Sequence, residues 1–173
     1  MVDVDGSEAG SMFGSLKSVV ISLVEEMKSQ DFEDEGCQLA TAALLTRVAT
    51  VDSEMTEARR KKLRALLKLH FGLDDLAVTQ LVSDATEAAR SAVDLYHFTR
   101  QLNKVLDSEG RQRVVKMMWQ LVYADGHVNE FESNIIWRTA DLLGVSSRQR
   151  IELRQLVATD KADLVCREMS ASD

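Results

Sequence analysis

The sequence predicts an all-α fold, an internally duplicated helix–loop–helix bundle of about seven to eight helices, and three observations carry that prediction. The 173 residues include no proline, against an average usage of about 5%, so the commonest helix breaker is missing. Apolar residues recur at steps of three and four through one segment after another. Val-rich alternation between turn pairs such as Asn-Gly, which would signal hairpins, is absent. The chain also repeats itself: a shift of 73 positions lays Asp52 on Asp125, Met55 on Val128, Thr56 on Asn129 and Glu57 on Glu130.

Taken in order, residues 1–11 set Gly and Ser among acids and read as disordered. From Met12, Phe13, Leu16, Val20, Leu23 and Met27 form a helix stripe, read as a helix packed on the body with a partner-facing helix as the alternative. Glu25 and Glu26 argue against a lipid surface, which favours Lys and Arg on the polar face. Asp34 or Glu35 opens a helix to about Val51, with Leu39, Ala42, Ala43 and Leu45 toward a core. Thr56 opens the next, with Leu63, Leu66, Leu67 and His70 on one face and Gly72 as its C-terminal stop. Asp74 starts a third to about Arg90. Further helices are expected over Asp94–Leu106, Glu109–Tyr123, Asn129–Leu143 and Ser146–Thr159. Asn129 with Glu132, and Ser146 with Gln149, have the spacing of capping boxes. The expected organisation is therefore an acidic segment over 1–35 with one amphipathic helix, a helical domain over 36–160, and a tail over 161–173.

Charge and composition narrow the function. Lys and Arg number 21 against 28 Asp and Glu, a net of −7. Residues 1–35 hold nine acids and two bases, which accounts for the whole excess and leaves the body neutral with 19 charges of each sign. Phosphate polymers require clustered positive charge, so no nucleic-acid partner is expected. The basic run Arg59 to Lys62, with Arg64 and Lys68, is the one cluster that bulk charge does not overrule; without interleaved aromatics it reads as a solvated helix face. Hydrophobic residues make up 45%, enough for a core. Cys37 and Cys166 form no CxxC pair, consistent with a reducing compartment. The apolar run Val19 to Val24 is shorter than a signal-peptide core or a membrane span, so the expectation is a cytoplasmic protein without membrane insertion.

The sharpest motif is YADGHVNEFE, Tyr123 to Glu132. Gly126 can take the left-handed conformation that ends a helix, Val128 folds inward, and Asn129 caps the next helix. Asp125 and Glu132 then flank a tight corner. Their oxygens, with loop carbonyls, suit a hard divalent cation, Ca²⁺ or Mg²⁺. The glycine position and ligand spacing are not those of an EF-hand. A glycine stop, an inward apolar residue, an Asn cap and a Glu three residues on explain the same letters without a metal. Both readings stand at this point.

The stretch QLVYADGHVNEFESNIIWRTADLLGVS resembles the repeated signature of the TerB-like family, tellurite-resistance-associated proteins of bacteria. It is also similar to the cytosolic N-terminal region of certain membrane-anchored DnaJ-type co-chaperones. Ala124-Asp125-Gly126, Val128, Glu132 and the run Ile136 to Gly144 carry the resemblance, and ALLTRVATVDSEMTEARRKKLRALL looks like the family's first copy. It spans roughly Cys37 to Val157. It implies a duplicated helical fold, a metal-binding role for acids at the two corners, and a stress-associated, non-enzymatic function. Carried over by position, the metal set is Asp125, Glu132 and Asp52. The departures are these: Ser53 replaces the glycine after the first Asp, His127 and Asn129 stand where relatives often have acids, and Arg59 stands where the second copy has Glu132, degrading the first corner as a cation site unless Glu54 or Glu57 substitutes.

Other groups have simpler readings. His70, His97 and His127 have no metal-ligand spacing between them. Trp119, Trp137, Met117 and Met118 read as core. No nucleophilic or acid–base constellation emerges, so the chain is expected to act by binding, not as an enzyme. The leading expectation is a TerB-like binding protein with Ca²⁺ or Mg²⁺ at the acidic corners. The alternative is a metal-free interaction or scaffolding module with an unidentified protein partner.

Overall fold

The structure, a computed structural model, describes residues 33–51 and 54–170, with side chains described as far as 163. The expected N-terminal helix over Phe13 to Met27 and the corner residue Asp52 lie outside the described residues. Among the described residues seven helices follow one another: α1 Glu35–Ala49, α2 Glu57–Phe71, α3 Asp75–Ser91, α4 Tyr96–Val105, α5 Ser108–Val122, α6 Glu130–Leu142 and α7 Ser147–Ser170. A single 3₁₀ turn, Tyr123–Asp125, joins α5 to the loop before α6. Among the described residues there is no strand, and no helix is long and apolar enough to cross a membrane.

Each start has a chemical cause. Asp34, Thr56, Asp74, Asp107 and Asn129 all take extended backbone and accept the orphan N–H three residues on, at Cys37, Arg59, Ala77, Gly110 and Glu132. Ser146 and Gln149 satisfy each other's backbone N–H groups at 3.4 and 3.0 Å. α4 starts two residues later than the sequence predicts, because Asp94 stays outside and accepts from Tyr96 N–H at 3.0 Å. At the other ends Gly72, Gly126 and Gly144 take positive φ of 65°, 89° and 70°, a region costly for any residue with a Cβ. α7 continues past the expected Thr159 to Ser170; Asp160 to Ser170 contains neither glycine nor proline to stop it.

α1 is the central helix. Ten of its fifteen residues are buried, four of them alanine, and α2 to α6 all pack on it. The alanines let neighbouring backbones approach closely, while Leu44, Leu45 and Val48 supply volume. α5 plays the same part in the second half: Val114, Val115, Met117, Met118, Trp119, Leu121 and Val122 are buried, and α1, α2, α6 and α7 surround it. Trp137 meets Trp119 edge-on at 6.3 Å. The duplication is thus visible in three dimensions. Each copy offers a buried helix, an inward apolar residue (Met55 or Val128) and a capped second helix ending on a left-handed glycine. The copies meet where α2 packs on α5 and on the 3₁₀ turn.

Candidate functional site

That junction is the Asp125–Glu132 corner. The 3₁₀ turn and Gly126 reverse the chain after α5, so Asp125 sits just before the reversal. Its Oδ1 accepts from His127 N–H at 3.3 Å. Val128 turns onto the core, and Asn129 opens α6 with a full capping box: Glu132 N–H donates to Asn129 Oδ1 at 2.9 Å, and Asn129 N–H donates to Glu132 Oε2 at 3.1 Å. Glu132 is completely buried. One carboxylate oxygen serves the cap; Oε1 points elsewhere.

It points at Arg59. This residue is the third of α2, the position equivalent to Glu132 in α6, and it is 4% exposed. Its Nη1 donates to Glu132 Oε1. Its Nε lies 2.8 Å from Asp125 Oδ2, an ion-pair contact without hydrogen-bond alignment. Its Nη2 donates to Asp125 Oδ1 at 3.3 Å, His127 O at 3.1 Å and Val122 O at 3.5 Å. Thr56, the cap of α2, donates its hydroxyl to Asp125 Oδ2 at 3.3 Å. One guanidinium thus binds both acids of the corner and two carbonyls beside them. Lys161 of α7 donates to Tyr123 O, so two cations neutralise the carbonyl end of α5.

Asp125 and Glu132 are therefore brought to one point, as their spacing predicts. Arg59 is where the structure departs from the sequence reading: the basic run is not uniformly a solvated face. Arg60 and Lys61 are exposed, Lys68 pairs with Asp75 at 2.9 Å, and Arg59 alone is buried. The signal was available in the repeat, which aligns Arg59 with Glu132; what it lacked was the knowledge that equivalent positions touch.

A family profile for tellurite resistance protein TerB matches residues 38–155. The chain belongs to the TerB family. Neither a curated protein nor a solved structure matches the chain. The match covers α1 to α6 and the first part of α7, with the junction of the two copies at its centre. Against the cation implied for TerB corners, the donor set fits poorly. The oxygens a metal would take are already accepting from Arg59, and a positive group stands among them. Among the described residues no three His, Cys, Asp or Glu side chains gather as metal ligands.

Outside the corner, His70 of α2 is half-buried, a core-edge position as its apolar face predicts. Burial, and then the charges of Arg113 and Lys116, hold its imidazole below the usual histidine range. A groove of about 410 Å³ opens beside the corner, between the start of α4 and the outer face of α6. Val93, Tyr96 and Phe131 line it while 96%, 57% and 67% exposed, with Arg47 and Arg138 alongside. Phe131 immediately precedes Glu132.

Proposed function

We propose that this TerB-family chain is a non-enzymatic, tellurite-resistance-related interaction module of co-chaperone type that works without a metal. The observation that carries the reading is the exposed apolar groove. Clustered large apolar side chains on a surface mark a contact site for another chain, and Val93, Tyr96 and Phe131 share one groove. Arg47 and Arg138 outnumber Asp94 on its lining, which favours an acidic partner segment that presents an apolar side chain. The mechanism runs through the corner. Arg59 ties α2 to the start of α6, which fixes the first turn of α6 and with it Phe131.

The competing reading places Ca²⁺ or Mg²⁺ on Asp125, Glu132 and Asp52. The convergence of Asp125 and Glu132 supports it; the buried Arg59 between them weighs against it.

The test is quantitative proximity labelling in the source cell with the full chain and with Tyr96→Glu/Phe131→Glu. Both side chains are exposed, so the variant keeps its melting temperature. The account expects a set of acidic-segment partners that the variant loses at least tenfold. An unchanged partner set in a folded variant would contradict the groove.

A further inference from the structure

Five oxygen contacts surround the Arg59 guanidinium: Glu132 Oε1, both oxygens of Asp125, His127 O and Val122 O. They come from the end of α5, the loop and the first turn of α6, and converge on one charged group. Carboxylate and carbonyl oxygens drawn from a helix end and a tight loop are the donors a hard divalent cation uses. At this corner they face the Arg59 guanidinium instead, with the Thr56 hydroxyl donating to Asp125 Oδ2. A cation entering would have to displace those bonds while facing the like charge of the buried Arg59 guanidinium.

The identity of the charged residue follows from the duplication. Arg59 and Glu132 hold the same position, the third of the helix after the corner, in the first and second copies. These two equivalent positions meet directly: Arg59 ion-pairs with Glu132. Two acids at that position would repel unless a cation lay between them. One acid and one arginine attract directly.

We infer that Arg59 is a built-in replacement for the cation: the corner is tied by the chain's own guanidinium and takes neither Ca²⁺ nor Mg²⁺. The same geometry makes the site latent. Arg59→Glu would set a third carboxylate beside Asp125 and Glu132, together with the His127 and Val122 carbonyls, and leave Lys161, on Tyr123 O, as the one cation against three acids until a divalent ion enters. This inference concerns the ion that closes the corner and does not depend on what occupies the groove.

The experiment uses the full chain and the metals alone. Melting temperature is measured in EDTA and in millimolar Ca²⁺ or Mg²⁺, because a ligand that prefers the native state must raise it. Wild type should melt at the same temperature in all three. Arg59→Glu should melt lower in EDTA and regain part of the loss with Ca²⁺. Arg59→Glu/Asp125→Asn should lose that recovery. A wild-type rise with metal that Asp125→Asn abolishes would overturn the replacement. An Arg59→Glu chain that ignores Ca²⁺, whether folded or unfolded in both conditions, would overturn the latent site. The wild-type measurement stands by itself if the variant fails to fold. Loss of groove partners in the Tyr96/Phe131 variant, or its absence, affects neither result.

Discussion

The two copies of the helix–loop–helix unit solve one local problem in two ways. Each must start a helix immediately after a corner and satisfy the free N–H groups there. The second copy does so within itself, since Asn129 and Glu132 exchange bonds in a closed box. The first copy uses Thr56, which accepts from Arg59 N–H at 3.3 Å. It carries arginine where the box would need an acid, and that side chain leaves its own helix to close the other corner. The difference teaches that the copies are not interchangeable: one is a self-contained cap, the other a cap plus a clasp.

The largest effect should come from breaking the clasp. Arg59→Ala leaves Glu132 buried and unpaired, which costs about 3–5 kcal/mol. That corresponds to a fall in melting temperature of roughly 6–20 °C for a domain of this size. The neighbouring Arg60→Ala, on the exposed side of the same turn, should stay within about 0.5 kcal/mol. Equal effects in urea titrations of the two variants would erase the contrast between the buried and exposed parts of the basic run.

Next in size are the caps. Asn129→Ala and Thr56→Ala should each cost on the order of 1 kcal/mol. The Asn129 change should cost more, because it also loosens Glu132, the acid that Arg59 holds. A larger loss at Thr56 would mean that the first copy, not the second, is the better anchored.

The smallest effect separates the copies by pH. His70 closes the helix of the first copy, and its counterpart region in the second carries no histidine. With its imidazole held below 6.5 by burial and by Arg113 and Lys116, the folded chain resists a proton that the unfolded chain accepts. That contribution is whole above about pH 6.5 and is lost as the pH falls through it toward the folded value. His70→Gln should therefore flatten part of the stability loss between neutral and mildly acidic pH. An identical pH profile for variant and wild type would remove histidine from the account.

Much of this is legible in the sequence. Helix starts are written in Asp34 or Glu35, Thr56, Asp74 and Asn129, and helix ends in Gly72 and Gly126, because caps and left-handed turns depend on local chemistry alone. The corner is legible as well: Asp125 and Glu132 face one point, occupied by Arg59, and Val128 turns inward. Arg59 is not. From the sequence its charge belongs with Arg60, Lys61 and Lys62, and helical periodicity assigns it to a polar face. Its burial depends on how two distant helices pack, across 73 positions of chain, and only the pairing with a buried acid makes it favourable. The length of α7 was missed for a plainer reason: nothing between Asp160 and Ser170 marks a stop.

The central claim is that Arg59 and Glu132 act as one unit joining the copies, and a double-mutant cycle tests it most directly. Arg59→Met, Glu132→Met and the double variant would be unfolded in urea beside wild type. Each single change should cost about 3–5 kcal/mol, and the double change should cost clearly less than their sum, since the Met pair leaves neither Arg59 nor Glu132 buried without its counter-charge. Additive losses in the double variant, with no coupling between the two sites, would contradict the clasp.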